Sequence, residues 1–164
     1  MPAARRALGA ALVVACGAAL GACADEGSIL TLELESIEAR ACDCGAESSM
    51  SIDAFFQVRN AGTEAGTVEP VEILLHNAAD GMLLSRYGTV TAALELDDGG
   101  IPPIFDGNVP ADTSLRIRFV VRSAGPVPGG ISTLQLTATV SARVNGVARN
   151  YDSDGPIRLF YRTM

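Results

Sequence analysis

The chain has 164 residues, enough for one domain, with 48% hydrophobic residues, 19% charged residues and no tryptophan. Its basic side chains are all arginine, and 12 of them against 19 acids leave a formal charge of −7. That balance argues against a duplex nucleic-acid binder, because phosphate contacts need clustered positive charge.

Residues 1–22 open with Arg5 and Arg6, continue through small and apolar residues from Ala7 to Leu20, and end in Gly21 and Ala22 before Cys23. This is the layout of a secretory signal peptide. As a helix the apolar run would span about 21 Å, short of the roughly 30 Å hydrocarbon core, which disfavours a permanent transmembrane helix. The residues Leu20-Gly21-Ala22-Cys23 resemble the lipobox of bacterial lipoproteins. The resemblance implies that the Cys23 sulfur is alkylated by a diacylglycerol and that the peptide is cut just before it. The residue types suit that chemistry: a thiol is the nucleophile required, and small neighbours admit the peptidase. The alternative is an ordinary signal peptide with a coincidental cysteine. Cys16 is a poorer candidate, because Val13 and Val14 are bulky and the apolar run before it is short.

The expected organisation is therefore a signal peptide over 1–22, a lipidated cysteine and tether over 23–28, and one folded domain over 29–164. Ala24 to Ser28 reach at most about 18 Å, which holds the folded part close to a bilayer. In the same family an aspartate directly after the cysteine favours inner-membrane retention. Here that residue is Ala24, so the resemblance implies a cell-envelope location at the outer membrane.

From Ile29 onward the apolar residues recur with a period of two. Leu30, Leu32 and Leu34 are expected to face inward, then Ile52, Ala54, Phe56 and Val58. Further strands are expected near 68–76, 82–87 and 90–96, with Asp80-Gly81 as a turn between two of them. Leu115, Ile117, Phe119 and Val121 form another inward row, and Leu134, Leu136, Ala138, Val140, Ala142 and Val144 a long one over residues 133–144. Asn145-Gly146 then signals a hairpin, because both residues of such a turn need positive φ. A last strand is expected near 156–161. The pattern predicts an all-β, antiparallel two-sheet sandwich. The stretch from Phe55 to Asn77 resembles the start of bacterial immunoglobulin-like or fibronectin-type modules, which implies an immunoglobulin-like fold but no particular activity.

Several residues are candidates for function. Cys42 and Cys44 would be oxidised to a local disulfide in a secreted protein, or else serve as a metal, redox or free thiol pair. Metal binding would need about four ligands, and the single histidine, His76, lies far from them on the outward parity of its strand. One histidine and no Ser-His-Asp motif disfavour a hydrolase. The run Asp152-Ser153-Asp154-Gly155 resembles the opening of a calcium loop but lacks the terminal acidic ligand, so a turn is expected.

Charge is unevenly spread: residues 25–112 hold 17 acids and 3 arginines, residues 113–164 hold 2 acids and 7 arginines. Arg116, Arg118 and Arg122 share the outward parity of one strand, either as rungs of a charge ladder with Glu33, Glu35 and Asp53 or as a basic stripe that meets acidic lipid headgroups or a partner. Residues 99–110 form a loop stiffened by Pro102 and Pro103, in which Ile101, Ile104 and Phe105 either present an apolar contact surface or fold back to cap the sandwich. The expected function is a lipid-anchored envelope module that binds or assembles a neighbouring protein near the membrane, without catalysis and without a cofactor. The alternative is a periplasmic thiol or metal handler built on Cys42 and Cys44.

Overall fold

A computed structural model describes residues 27–96, 100–124, 127–128 and 131–163; Cys23 and the signal-like segment lie outside them. Among the described residues the period-two pattern becomes ten strands: β1 (Leu30–Asp43), β2 (Ser49–Asn60), β3 (Gly66–Asn77), β4 (Leu83–Tyr87), β5 (Thr91–Leu94), β6 (Asn108–Val109), β7 (Thr113–Ala124), β8 (Leu136–Val144), β9 (Val147–Asp152) and β10 (Arg158–Thr163). One sheet runs β10-β1-β2-β7-β5, the other β4-β3-β8-β9, with the short β6 beside β3. The two sheets pack face to face as a β-sandwich.

β2 shows why. Ile52, Ala54, Phe56 and Val58 are all fully buried, as are Ile73 and Leu75 of β3 and Val140 of β8 from the opposite sheet. Phe56 packs against Phe119 of its own sheet at 4.9 Å between ring centroids and meets Tyr151 of the other sheet edge-on at 5.4 Å. Burying side chains of this size stabilises the fold by about 1.5–3 kcal/mol each.

Three features depart from the alternation read in the sequence. β1 is far longer than the Leu30–Glu35 segment, and its register with β2 shifts between Leu34 and Ser36. A bulge adds one residue to one strand, so the inward parity moves from Leu30, Leu32 and Leu34 to Ile37, Ala39 and Ala41. The strand expected from 133 begins at Leu136, because Ile131–Thr133 form a 3-10 turn that buries Ile131. The sandwich is not wholly antiparallel: β10 pairs parallel to β1. The link from β9 to β10 carries the chain from one sheet to the other, and a strand arriving by such a crossing can run in either sense.

The predicted turns are present. Asn145 and Gly146 take φ of 49° and 77°, and Val144 pairs with Val147 across them. Gly81 takes φ of 70° after Asp80, whose carboxylate accepts the Met82 amide.

The sandwich has two distinguishable ends. Leu30 pairs with Asn60, and Asn60 with Thr113, at the end where the described chain begins. Cys42 pairs with Ser49, and Ser49 with Ala124, at the other. Asn60 ties the first end together. Its buried side chain accepts the Ile29 and Gly62 amides and donates to the carbonyls of Glu64, Val109 and Pro110. A Cβ on Gly62 would collide with the Gly27 carbonyl, so only glycine lets the entering chain lie this close.

Burial pushes the Tyr151 hydroxyl above its ordinary pKa of 10.0, and Arg149 offsets part of the rise. A raised folded-state value means that the folded chain holds this proton more tightly than the unfolded chain. The contribution is therefore complete below about pH 10 and is lost as pH climbs through the folded value. With no lysine in the chain, few other side chains titrate there. Urea unfolding from about pH 9 to about pH 11 is expected to lose less stability in Tyr151→Phe than in the parent; equal losses would contradict the assignment.

Candidate functional site

The outward face of the larger sheet carries an acid that the alternation alone would leave in water. Asp53 stands on β2 opposite Val120 and Glu38, yet it is only 1% exposed. Three arginines from neighbouring strands cover it. Arg40 Nη1 lies 3.0 Å from Oδ2, Arg122 Nη2 3.2 Å from Oδ1, and Arg118 Nε 3.9 Å from Oδ1. Arg40 also reaches Glu38 at 3.0 Å, and Arg118 faces Glu95 at 3.6 Å. A buried carboxylate is tolerated when it is paired and bonded in this way, and removing it would leave uncompensated guanidinium charge.

Arg116, Arg118 and Arg122 thus have separate surroundings. Arg116 makes two bonds to Glu35 across the sheet, at 2.7 and 3.0 Å. Arg118 lies over the Phe55 ring at 5.9 Å and between Asp53 and Glu95. Arg122, more than half exposed, also bonds the Val121 carbonyl.

Arg40 and Arg122 belong to a groove of about 560 Å³ at the far end of this face. The strand registers explain its shape. One row across the sheet reads Phe160, Arg40, Ser51, Arg122, and the next reads Arg162, Cys42, Ser49, Ala124. Small residues in the middle make a floor, while arginines and a phenylalanine at the sides make walls. Phe160 is 46% exposed and lies beneath the Arg40 guanidinium at 5.6 Å and near that of Arg158 at 5.9 Å. The charged residues lining the groove are Arg40, Arg122 and Arg162, and no acid lines it among the described residues. Arg162 has no ion pair among them. Arg40 is already paired with Asp53 and Glu38, and Arg122 with Asp53, so the positive charge of the groove is carried chiefly by Arg162. The groove suits an anionic group carried on a flat apolar frame, with the guanidiniums supplying N–H donors and Phe160 a stacking face.

Cys42 and Cys44 are joined by a disulfide at the rim of the groove, with Cα atoms 5.4 Å apart. The short turn Gly45–Glu47 follows, and the Ser48 hydroxyl accepts the Cys44 amide and donates to the Gly45 carbonyl. Among the described residues no three histidine, cysteine, aspartate or glutamate side chains are grouped as a metal would require. His76 is half-buried on β3, opposite Thr137 and Leu83, while Glu72 pairs with Arg86 instead. Asp152 accepts the Thr139 hydroxyl at 2.6 Å, and the Ser153 hydroxyl donates to the Gly155 carbonyl, as a closed turn does.

The proline loop divides its three apolar residues. Phe105 is 7% exposed and joins the core, bonding its amide to the Ala92 carbonyl. It fills the open side of the sandwich beside β5 and is not accessible as a contact. Ile104, which bridges Ala93, and Ile101 stand 87% and 94% exposed. The three residues that sequence reasoning grouped are therefore split by burial. The groove itself was missed. Its walls come from β10, β1 and β7, and nothing in a linear reading placed β10 beside β1.

No protein-family model and no curated protein matches the chain. Solved structures with a weak likeness include the structural-genomics target SoR45, at 16% identity over 83% of this chain and 88% of that one, with a TM-score of 0.34. A Bordetella pertussis protein described as ApaA has 14% identity over 81% and 96% of the two chains, with a TM-score of 0.33. The sporulation control protein Spo0M of Bacillus subtilis has 10% identity over 81% and 49%, with a TM-score of 0.31. At these scores the likenesses assign neither function nor family.

Asp53→Ala is expected to cost about 1–3 kcal/mol in urea unfolding, because it removes the shared partner of three arginines from a buried position. Glu35→Ala, which breaks only the exposed pair with Arg116, is expected to cost less than about 1 kcal/mol. Equal costs would mean that Asp53 does not organise this face.

Proposed function

We propose that the chain is a lipid-anchored cell-envelope protein, held at the outer membrane through Cys23, whose sandwich works as a binding module near the bilayer. It is a recognition domain rather than an enzyme. The observation that carries this reading is the opposition of the two ends. The chain enters the domain beside Asn60, and the arginine groove opens beside Cys42 and Ser49. A tether at Cys23 would hold one end at the membrane and turn the groove away from it, toward soluble or neighbouring envelope partners. Anchoring also raises the effective concentration of the module for such partners.

The fold part of the proposal is an immunoglobulin-like sandwich. Its support is connectivity: β1-β2-β7-β5 and β4-β3-β8-β9 follow the A-B-E-D and C′-C-F-G orders of that fold, with β10 added outside β1. The groove would recognise a carboxylate or phosphate on a flat apolar frame. Asp53 holds Arg40 and Arg122 in place beforehand, so little side-chain order is lost on binding.

Two measurements test the reading. Membrane fractionation is expected to find the parent with the membranes and Cys23→Ser in the soluble fraction; co-fractionation of both would remove the anchor. Calorimetric titration with phenyl phosphate is expected to show binding that phenol lacks, weakened roughly tenfold, or about 1.4 kcal/mol, by Arg162→Ala. Equal response to the two ligands, or no effect of Arg162→Ala, would remove the groove.

A further inference from the structure

The large apolar side chains left on the surface fall into two groups, with Ile104 between them. Among the described residues they are Ile29, Met82, Leu83, Leu96, Ile101, Ile104, Val147 and Phe160. Met82, Leu83 and Phe160 stand toward the groove end, since Leu83 pairs with His76 late in β3 and Phe160 with Arg40 late in β1. Ile29, Leu96, Ile101 and Val147 stand toward the entry end, while Ile104, opposite Ala93 and so level with Arg118, stands midway along the sheet. Ile29 immediately precedes β1. Val147 follows the Asn145-Gly146 turn, whose Asn145 side chain donates to the Ser28 carbonyl at 3.3 Å. β5 runs toward the same end, with Leu94 opposite Ile117, the Glu95 amide bonded to the Arg116 carbonyl, and Leu96 next. The chain returns antiparallel through Pro103, whose carbonyl accepts the Leu94 amide, so Ile101 precedes this contact on the entry side.

These side chains are held firmly. Pro102 and Pro103 stiffen the loop, the Ile104 bridge fastens it to β5, and the Asn60 bonds fix the neighbouring turns. Cys23 lies four residues before Gly27, the first described residue, and so within about 14 Å of it by chain reach.

We infer that this end of the sandwich rests on the lipid surface, with Ile101 entering the boundary between headgroups and acyl chains. The inference rests on the lipid anchor proposed above. The anchor makes the contact intramolecular, so one apolar loop tip suffices to orient a domain that it could not recruit alone. Glu64 and Asp112 stand exposed at the same end. Arg59 and Arg143 are exposed at this end too, so charge of both signs surrounds the apolar tip and the contact requires no anionic lipid.

Because the chain has no tryptophan, Ile101→Trp supplies a single reporter. The test uses the mature lipidated protein in vesicles of phosphatidylethanolamine and phosphatidylcholine, with and without brominated acyl chains, and Met82→Trp as the comparison. Both variants are expected to float with the vesicles. Emission from Ile101→Trp is expected to shift to shorter wavelength and be quenched by the brominated chains at low and high salt, while Met82→Trp shows neither effect. Flotation with no shift and no quenching of Ile101→Trp would overturn the orientation and leave the anchor standing. Failure to float would overturn the anchor and the orientation together.

Discussion

Phe56 is the point on which the two sheets close. It belongs to the central strand of the larger sheet, is completely buried, and touches Phe119 beside it and Tyr151 across the interface. The chain is poor in aromatics, and its core mixes alanine and valine with isoleucine, leucine, methionine and phenylalanine side chains that exclude water between the sheets. Phe56 and Phe119, both fully buried, fill the centre of the core cluster together with Ile52, Val58, Ile73, Leu75 and Val140. Every other feature of the molecule hangs from this contact, because the outward faces acquire their rows only once the inward faces are fixed.

The outer face illustrates the consequence. With β2 pinned by its inward residues, Asp53 must point away from the core, into a row that Arg40, Arg118 and Arg122 close over. A carboxylate withdrawn from water needs such partners, and the arginines in turn are held in defined positions. The groove walls therefore follow from the same register that builds the core. Arg162 and Phe160 complete them because the last strand lies parallel to β1.

The two ends of the sandwich differ in chemistry. One is fastened by Asn60, receives the entering chain and carries apolar tips. The other carries the disulfide and the arginine groove. In the proposed reading, this polarity would set the attitude of a domain anchored at Cys23 and the direction in which the groove opens.

Much of this was legible from residue order. A period of two across Ile52–Val58, Leu115–Val121 and Leu136–Val144 marks half-buried strands, since alternate side chains must leave the core. Asn145-Gly146 marks its own turn because few residues accept positive φ. Such signals are local, and the chain carries them whatever its neighbours are. What only the tertiary structure decided is long-range. The bulge at Leu34 and Ser36 exchanges faces midway along β1, the burial of Phe105 parts it from Ile101 and Ile104, and the docking of β10 against β1 creates the groove. Each depends on residues distant in sequence meeting across a sheet or an interface. The free energy of those meetings lies in the pairing and in the water excluded by it, and neither can be assigned to a residue before its partner is known.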